Sequence, residues 1–185
     1  MRAITRTARA LVPAMAILAV GACGASTDTG SANASAEAGP AAAADGGGQA
    51  APSFTATKLG GGELSSASFA GTDTVLWFWA PWCTTCRAEA DDVVAAAAAL
   101  DGSVQVVGVA GRGEVAAMDE FVAETATGGL THVVDDDGSI WSSFGVASQP
   151  SFAFISDTGE VEVVSGALGE AKLTERMQAL AAASS

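Results

Sequence analysis

The chain has 185 residues, and its 21 acidic residues outnumber its eight basic ones, which gives a formal net charge of −13. Three of the basic residues are arginines within the first nine positions, so the rest of the chain is more acidic still. This balance disfavours binding to the phosphate backbone of nucleic acids and is consistent with high solubility. We therefore expect no nucleic-acid partner.

The first 22 residues have the pattern of an export signal. Three arginines precede an apolar run over residues 10–20, and two small residues follow before Cys23. The run is about half as long as the ~20 residues that a membrane-spanning helix needs. This favours a secretory signal peptide over residues 1–22 rather than a permanent membrane span.

Residues 18–23, Leu-Ala-Val-Gly-Ala-Cys, resemble a bacterial lipobox. In such a motif the cysteine receives a diacylglyceryl thioether and becomes the N-terminus after cleavage, which implies lipidation of Cys23. Two acyl chains are enough for stable anchoring to a membrane. Ordinary signal cleavage, with Cys23 as an unmodified thiol, is the alternative. Because the chain has three cysteines, lipidation of one leaves a single pair.

The segment after Cys23 predicts a spacer between a membrane and a folded domain. Residues 24–51 are almost wholly small or polar, with no aromatic and no large aliphatic side chain, so they cannot bury enough surface to form a core. We interpret residues 23–51 as a lipidated flexible tether and residues 52–185 as one domain. The expected location is the extracytoplasmic face of the bacterial cell membrane.

The first half of the predicted domain contains a hairpin and a βαβ unit. Residues 54–59 and 63–65 flank three glycines and predict the hairpin. Residues 74–79 form a short apolar run that is typical of a strand buried on both faces. A helix over residues 83–100 and a second buried strand over residues 104–109 complete the unit, for which we expect parallel pairing.

The second half predicts a helix over residues 115–124 and a short strand over residues 131–134. The strands at 152–155 and 161–164 flank the turn Asp-Thr-Gly-Glu, which is a strong hairpin signal. A last helix is expected over residues 170–182. Together these elements predict an α/β fold with a central mixed β-sheet flanked by helices.

Cys83 and Cys86 form a Cys-x-x-Cys motif at the predicted start of the first long helix. At that position, unpaired backbone N–H groups and the helix dipole favour the thiolate of the first cysteine. The second cysteine lies one helical turn further on and can close a disulfide with it. We predict a redox-active disulfide, with Cys83 as an exposed nucleophile and Cys86 as the resolving thiol.

Three other uses of this pair are disfavoured by the residues present. Zinc would need two further ligands, whereas His132 is the only histidine, so no metal is expected. A purely structural disulfide that closes so small a loop would stabilise the fold little. A peroxidase of the peroxiredoxin pattern would have Thr or Ser three residues before the nucleophile, where this chain has Ala80. No cofactor is expected either.

The chain resembles the TlpA-like branch of the thioredoxin superfamily, and within it the exported actinobacterial DsbE/DsbF-like proteins. The resemblance runs from residue 51 to the C-terminal helix, and its most specific segments are residues 78–89, 146–152 and 155–159. It implies a thioredoxin-like fold with an N-terminal β-hairpin extension. It also implies thiol–disulfide exchange with exported proteins as substrates and a membrane redox partner for recycling.

The resemblance also implies further site residues. Pro150 occupies the position of the family's cis-proline, and the backbone of Gln149 can pair there with an extended substrate segment. Trp82 occupies the position of the side chain that flanks the sulfur and shapes the peptide-docking surface. One departure is Trp77, which stands where thioredoxins have a buried Asp. Glu89 could replace that Asp, although we expect it to be a solvated helix residue.

Several other conspicuous residues predict structure rather than chemistry. Trp77, Trp79 and Trp141 are expected in the core, and His132 is expected to be a structural residue. Residues 135–138, Asp-Asp-Asp-Gly, lack the spaced ligands of a calcium loop and predict a solvated turn.

The sequence leaves the direction of electron transfer open. The exported location and the resemblance favour a protein that oxidises cysteines of exported proteins. One alternative is a reductant in cytochrome c maturation. Another is a lipoprotein that only binds a partner on a thioredoxin-like scaffold.

Overall fold

The computed structural model of the protein describes residues 49–184, in which strands and helices alternate. The strands are β1 (Gln49–Ala50), β2 (Thr55–Thr57), β3 (Glu63–Ser65), β4 (Thr74–Trp79), β5 (Gln105–Gly111), β6 (Thr131–Asp135), β7 (Ser151–Ile155) and β8 (Glu160–Ser165). The helices are α1 (Thr84–Ala99), α2 (Val115–Glu124), α3 (Ser139–Ser143) and α4 (Gly169–Ala183). Short 3-10 turns occur at Ser66–Phe69 and Thr127–Gly129.

Within residues 49–184 the main sheet has six strands, in the order β1-β8-β7-β4-β5-β6. Strands β4, β5 and β6 are parallel neighbours, whereas β7 pairs antiparallel with both β4 and β8. Strands β2 and β3 form a separate antiparallel hairpin. The predicted mixed sheet, the βαβ unit with parallel pairing and the N-terminal hairpin are therefore confirmed.

The core lies on both faces of β4, because alternate residues of a strand point to opposite sides. All six residues of β4 are buried. Trp77 and Trp79 pack on one face against side chains of α1, α2 and α4, while Leu76 and Phe78 pack on the other face against the α3 region. Helices thus cover both faces of the sheet, as the run of apolar residues in β4 predicts.

The sheet begins before the predicted domain boundary at residue 52. Gln49 pairs with Val161 and Ala50 with Glu160, so β1 adds an edge strand to the sheet. The proposed signal peptide, Cys23 and most of the predicted tether lie outside the described residues. Within residues 49–184, no helix is both long enough and apolar enough to cross a membrane.

The ends of α1 follow from local backbone chemistry. Cys83 is the N-cap residue, and its side chain accepts a hydrogen bond from the backbone N–H of Cys86. At the other end, Asp101 and Gly102 both adopt positive φ, and glycine does so without steric cost. The many alanines between these ends favour helix. The first long helix therefore begins at the Cys-x-x-Cys motif, as predicted.

Helix α3 was not predicted, and it changes the interpretation of the acidic run before it. Asp135 is buried, and its carboxylate accepts backbone N–H groups from Ile140 at 3.0 Å and Trp141 at 2.8 Å. The expectation that residues 135–138 form a solvated turn is wrong for Asp135 and agrees with the exposure of Asp136 and Asp137. A short helix with few apolar positions gives too weak a periodic signal to be found in the sequence.

Candidate active site

The disulfide between Cys83 and Cys86 lies where the chain leaves the C-terminal end of β4 and enters α1. The Cα atoms of the two cysteines are 5.3 Å apart. Cys83 Sγ lies 3.0 Å from the backbone nitrogen of Cys86, which donates a hydrogen bond to it. In the reduced protein the same N–H group and the N-terminus of α1 would stabilise a thiolate on Cys83.

The two cysteines differ in accessibility. Cys83 keeps 6% of its surface exposed, whereas Cys86 is completely buried. The prediction of an exposed Cys83 is therefore wrong, since the residue is largely buried and belongs to the core cluster that includes Trp79 and Ala80. A substrate sulfur that approaches from solvent can reach Cys83 but not Cys86.

Trp82 is the most exposed of the large hydrophobic side chains in the described residues, with 59% of its surface exposed. Its Nε1 donates a hydrogen bond of 2.7 Å to the backbone carbonyl of Arg112. The ring is therefore held at one edge while it remains open to solvent beside Cys83. An exposed ring that is held in this way provides apolar contact area at low entropic cost.

The segment at Gln149 and Pro150 lies beside the same end of β4. The bond between them is cis, as the resemblance implies. The next residue, Ser151, pairs with Phe78 in the antiparallel register of β7 and β4. Gln149 is half-buried and Pro150 is buried. The register thus brings this segment to the edge of the sheet from which Cys83 follows.

Trp77, at the position of the missing Asp, is fully buried, and its Nε1 has no hydrogen-bond partner among residues 49–184. Its ring packs against the rings of Trp79 at 5.9 Å and Phe121 at 6.2 Å, between ring centroids. The expectation that Trp77, Trp79 and Trp141 belong to the core agrees with their burial. An aromatic cluster therefore stands where thioredoxins have an acidic group.

Glu89 corrects the expectation of a solvated helix residue, because only 3% of its surface is exposed. Its Oε1 accepts hydrogen bonds from the backbone N–H groups of Leu168 at 2.6 Å and Gly169 at 3.4 Å, while Oε2 has no partner in the described part of the chain. Burial raises the pKa of Glu89, these two hydrogen bonds offset part of the rise, and nearby Asp92 adds to it. The sequence could not reveal this burial because it depends on α4, which lies some 80 positions away.

His132 has structural contacts, in agreement with the sequence. Its Nδ1 accepts a hydrogen bond of 3.2 Å from Trp79 Nε1, and its Nε2 lies 3.0 Å from the carbonyl of Thr127. This pair of partners assigns the ring proton to Nε2. Burial lowers the pKa of His132, and the hydrogen bond to Thr127 offsets part of that shift.

Arg112 is a residue of the site that the sequence did not single out. Besides accepting the hydrogen bond from Trp82, it donates one of 3.0 Å from Nη2 to the carbonyl of Ala147. Its guanidinium lies 4.8 Å from the ring centroid of Trp141. The glycines on either side of Arg112 were the only available signal. Among residues 49–184, no group of three or more His, Cys, Asp or Glu side chains could hold a metal ion.

Comparison with known proteins places this site in a family. The AhpC/TSA family model matches residues 47–164. The soluble secreted antigen MPT53 of Mycobacterium tuberculosis is 40% identical over 130 residues, which are 69% of this chain and 74% of MPT53. The thiol–disulfide oxidoreductase ResA of Oceanobacillus iheyensis is 29% identical over 128 residues, which are 65% of this chain and 66% of ResA.

Comparison with solved structures also finds disulfide oxidoreductases. MTB DsbF, solved in mixed oxidised and reduced forms, superposes with a TM-score of 0.67 at 45% identity and covers 69% of this chain and 94% of its own. A secreted Mycobacterium tuberculosis disulfide oxidoreductase homologous to E. coli DsbE superposes with a TM-score of 0.64 at 40% identity. The match covers 69% of this chain and 96% of that protein. The resemblance found in the sequence and the thioredoxin-like fold are confirmed. The chain therefore belongs to the AhpC/TSA family, and it is a thiol–disulfide oxidoreductase similar to the secreted mycobacterial DsbE/DsbF-like proteins.

Proposed function

We propose that this chain oxidises cysteine pairs of exported proteins, with the Cys83–Cys86 disulfide as the immediate oxidant. The choice of the reacting sulfur rests on the unequal accessibility of the two cysteines, 6% for Cys83 and none for Cys86, and the direction of electron flow is supported by the similarity to a secreted mycobacterial disulfide oxidoreductase. A substrate thiolate can therefore form its mixed disulfide at one position only. Cys83 takes the role of nucleophile or attacked sulfur, and Cys86 takes the role of resolving thiol.

The proposed reaction is two successive thiol–disulfide exchanges. A substrate thiolate attacks Cys83 Sγ, the bond to Cys86 breaks, and Cys86 leaves with the electron pair and takes up a proton. The second substrate thiolate then attacks the substrate sulfur of the mixed disulfide, and Cys83 leaves as a thiolate. The substrate loses two electrons and the cysteine pair gains them, so a membrane redox partner must reoxidise the pair.

Substrate binding is assigned to the surfaces beside Cys83. Trp82 supplies an exposed ring, and the backbone of Gln149, followed by Pro150, offers an edge for an extended peptide. Main-chain pairing binds many sequences with little discrimination, which suits an enzyme that acts on a range of exported proteins. Oxidised and reduced cysteine-containing proteins are the expected partners.

We further propose that Cys23 is lipidated and holds the domain at the extracytoplasmic face of the cell membrane. The support is the lipobox-like sequence that ends at Cys23. The relative MPT53 is named as soluble and secreted, so the anchor would distinguish this chain from that relative. Detergent phase partition of the full chain and of its Cys23→Ala variant tests the anchor. Equal partition of both into the aqueous phase would rule it out.

A redox titration of the domain against glutathione tests the direction of electron flow. An oxidant should equilibrate at about −120 to −180 mV, whereas a value near about −270 mV or below would contradict the proposal. The low value would favour the alternative role as a reductant in cytochrome c maturation.

The partner-binding alternative predicts that Cys83→Ser leaves biological activity intact. A peroxide-consumption assay with reduced protein separates a peroxidase, which Ala80 disfavours, from a disulfide donor.

A further inference from the structure

We propose that Arg112 is a positioning residue that fixes the peptide-docking loop, residues 147–150, relative to Trp82 and thereby determines how well protein substrates are used. This inference rests on the proposed function, because it concerns the docking surface of the same disulfide. It assigns to the β5–α2 connection a role in substrate use that is separate from the chemistry of the two sulfurs.

Arg112 connects two segments that are distant in the chain and that flank the disulfide. Its backbone carbonyl accepts the hydrogen bond from Trp82 Nε1 at 2.7 Å, across 30 positions. Its Nη2 donates to the carbonyl of Ala147 at 3.0 Å, across 35 positions. One residue thus contacts both sides of the surface where a peptide would reach Cys83.

The guanidinium of Arg112 rests on a ring that is itself fixed. Its Cζ lies 4.8 Å from the ring centroid of Trp141, a cation–π distance. Trp141 Nε1 donates to the carbonyl of Val109 at 3.2 Å, and its backbone N–H donates to the buried carboxylate of Asp135 at 2.8 Å. The planar arginine fork can lie flat on the ring and donate within its own plane at the same time, a geometry that the compact lysine ammonium does not reproduce.

The backbone around Arg112 is packed too tightly to adjust freely. A Cβ atom at Gly111 would overlap the ring of Trp141, and one at Gly113 would overlap Pro81 in the loop that leads to Cys83. Arg112 itself has φ of 57°, in the left-handed region that favours glycine. The one residue of this Gly-Arg-Gly loop that carries a side chain therefore holds it in a strained conformation. Such strain is retained where the side chain has a specific use.

The charge of Arg112 is not used in an ion pair within residues 49–184. By contrast, Arg87 pairs with Glu124 at 2.7 Å, and Arg176 pairs with Glu162. The Arg112 side chain instead donates to a neutral carbonyl, that of Ala147. This contact connects two segments and does not neutralise the charge of the arginine. A variant that keeps the charge but loses the fork can therefore separate these two roles.

The test compares two substrates of the same disulfide. Dithiothreitol needs access only to Cys83, whereas a reduced peptide with two cysteines also needs the docking surface. Arg112→Gly relieves the positive-φ strain and removes the side-chain contacts with Ala147 and Trp141, while it keeps the backbone carbonyl that accepts from Trp82. It should therefore fold, which circular dichroism and thermal unfolding will verify. We expect kcat/KM for the peptide to fall about tenfold, mainly through KM, while the dithiothreitol rate changes less than about twofold.

Three control measurements make the outcome decisive. Arg112→Lys keeps the charge and should remain as impaired as Arg112→Gly. Arg176→Gln removes a charge on α4, away from the disulfide, and should retain both rates. Trp82→Phe removes the Nε1 donor, and combining it with Arg112→Gly should lower the peptide rate by less than the product of the two single effects.

An unchanged peptide rate in Arg112→Gly would overturn the proposal. An equal fall in the peptide and dithiothreitol rates would overturn it as well, because Arg112 would then act on the disulfide itself. Full activity of Arg112→Lys would show that only the positive charge of Arg112 matters. That result would also contradict the proposed positioning role of its guanidinium. Failure of the unmutated protein to oxidise the peptide would instead contradict the proposed function, before any variant is compared.

Discussion

Glu89 Oε1 accepts a hydrogen bond of 2.6 Å from the backbone N–H of Leu168, across 79 positions of the chain. The contact joins α1, one turn beyond Cys86, to the residue that precedes α4. Burial raises the pKa of Glu89 and outweighs the opposing effect of the two backbone hydrogen bonds. A carboxyl group that can change its protonation state therefore links the helix of the disulfide to the C-terminal helix.

Replacing Glu89 with Gln should change the pH dependence of stability in a defined direction. Folding raises the pKa of Glu89, so the carboxyl group stabilises the fold fully at a pH below 4.5, the pKa of Glu89 in the unfolded chain. This stabilisation is lost as the pH rises through the pKa of Glu89 in the folded protein. Glu89→Gln lacks this loss, so its stability relative to the unmutated protein should increase with pH. Urea unfolding at several pH values measures the difference. A constant difference would contradict the prediction, and Glu120→Gln on the exposed face of α2 is the matched control.

The same variant should slow the step in which reduced Cys86 acts as a nucleophile. Glu89 lies three residues after Cys86, on the same side of α1, and it is the first acidic residue of that helix. No Asp is available at the position of Trp77. If Glu89 accepts the proton of Cys86, Glu89→Gln should slow resolution of a mixed disulfide by at least about tenfold near neutral pH. Acid quenching of the reaction with an oxidised peptide measures this rate. An unchanged rate and pH profile would assign Glu89 to structure alone.

The unequal accessibility of the cysteines predicts an unequal outcome of their replacement. In Cys86→Ser, a thiolate on Cys83 can still attack a substrate disulfide, and the mixed disulfide persists because no second sulfur resolves it. We expect stable covalent complexes of Cys86→Ser on non-reducing gels, and none for Cys83→Ser. Complexes formed equally by both variants would show that Cys86 is also accessible, contrary to its complete burial.

Much of the fold could be predicted because it depends on local patterns. The apolar run of β4, the Asp-Thr-Gly-Glu hairpin turn and the Cys-x-x-Cys helix start are each contained within a few residues. The errors have two causes. Glu89 is buried by a contact 79 positions away, near α4, and spacing in the sequence contains no record of such a contact. Asp135 accepts N–H groups only five and six positions further on, but the short helix that donates them, α3, has too weak a periodic signal to be found.

The residues of the site also differ in how well the sequence predicts them. Cys83, Cys86 and Trp82 are neighbours in the sequence and belong to one motif. Arg112 reaches this motif only because β4 and β5 pair in parallel, which brings Trp79 opposite Ala110 and the following loops side by side. A single arginine between two glycines does not predict that outcome.

Acid should destabilise the protein through His132. Burial lowers its pKa from the ordinary value of 6.5, so the unfolded chain takes up a proton at a pH where the folded protein does not. Neutral His132 therefore contributes to the free energy of unfolding above about pH 6.5, and this contribution is lost as the pH falls through the pKa of His132 in the folded protein. The free energy of unfolding falls by no more than about 1.4 kcal/mol per pH unit from this cause. Unfolding titrations between about pH 5 and pH 8 should show a shallower decline for His132→Gln than for the unmutated protein. Because Glu89 acts in the opposite direction, the comparison is sharpest in a Glu89→Gln background, and parallel curves there would contradict the assignment.

The hydrogen bond between Trp79 and His132 also depends on Gly108, which lies between them on β5. A Cβ atom at this position would overlap His132 Nδ1 and would lie 2.7 Å from Trp79 Nε1, the two atoms that share the hydrogen bond. Both rings are buried and cannot move aside freely, so Gly108→Ala should destabilise the fold by about 1–3 kcal/mol. Gly128→Ala is the matched control, because its nearest neighbour in the same test is Val122 Cγ1 at 3.8 Å. Denaturant unfolding of both variants measures the difference. Equal stabilities of the two variants would contradict the prediction, because the two rings would then accommodate the added methyl group without cost.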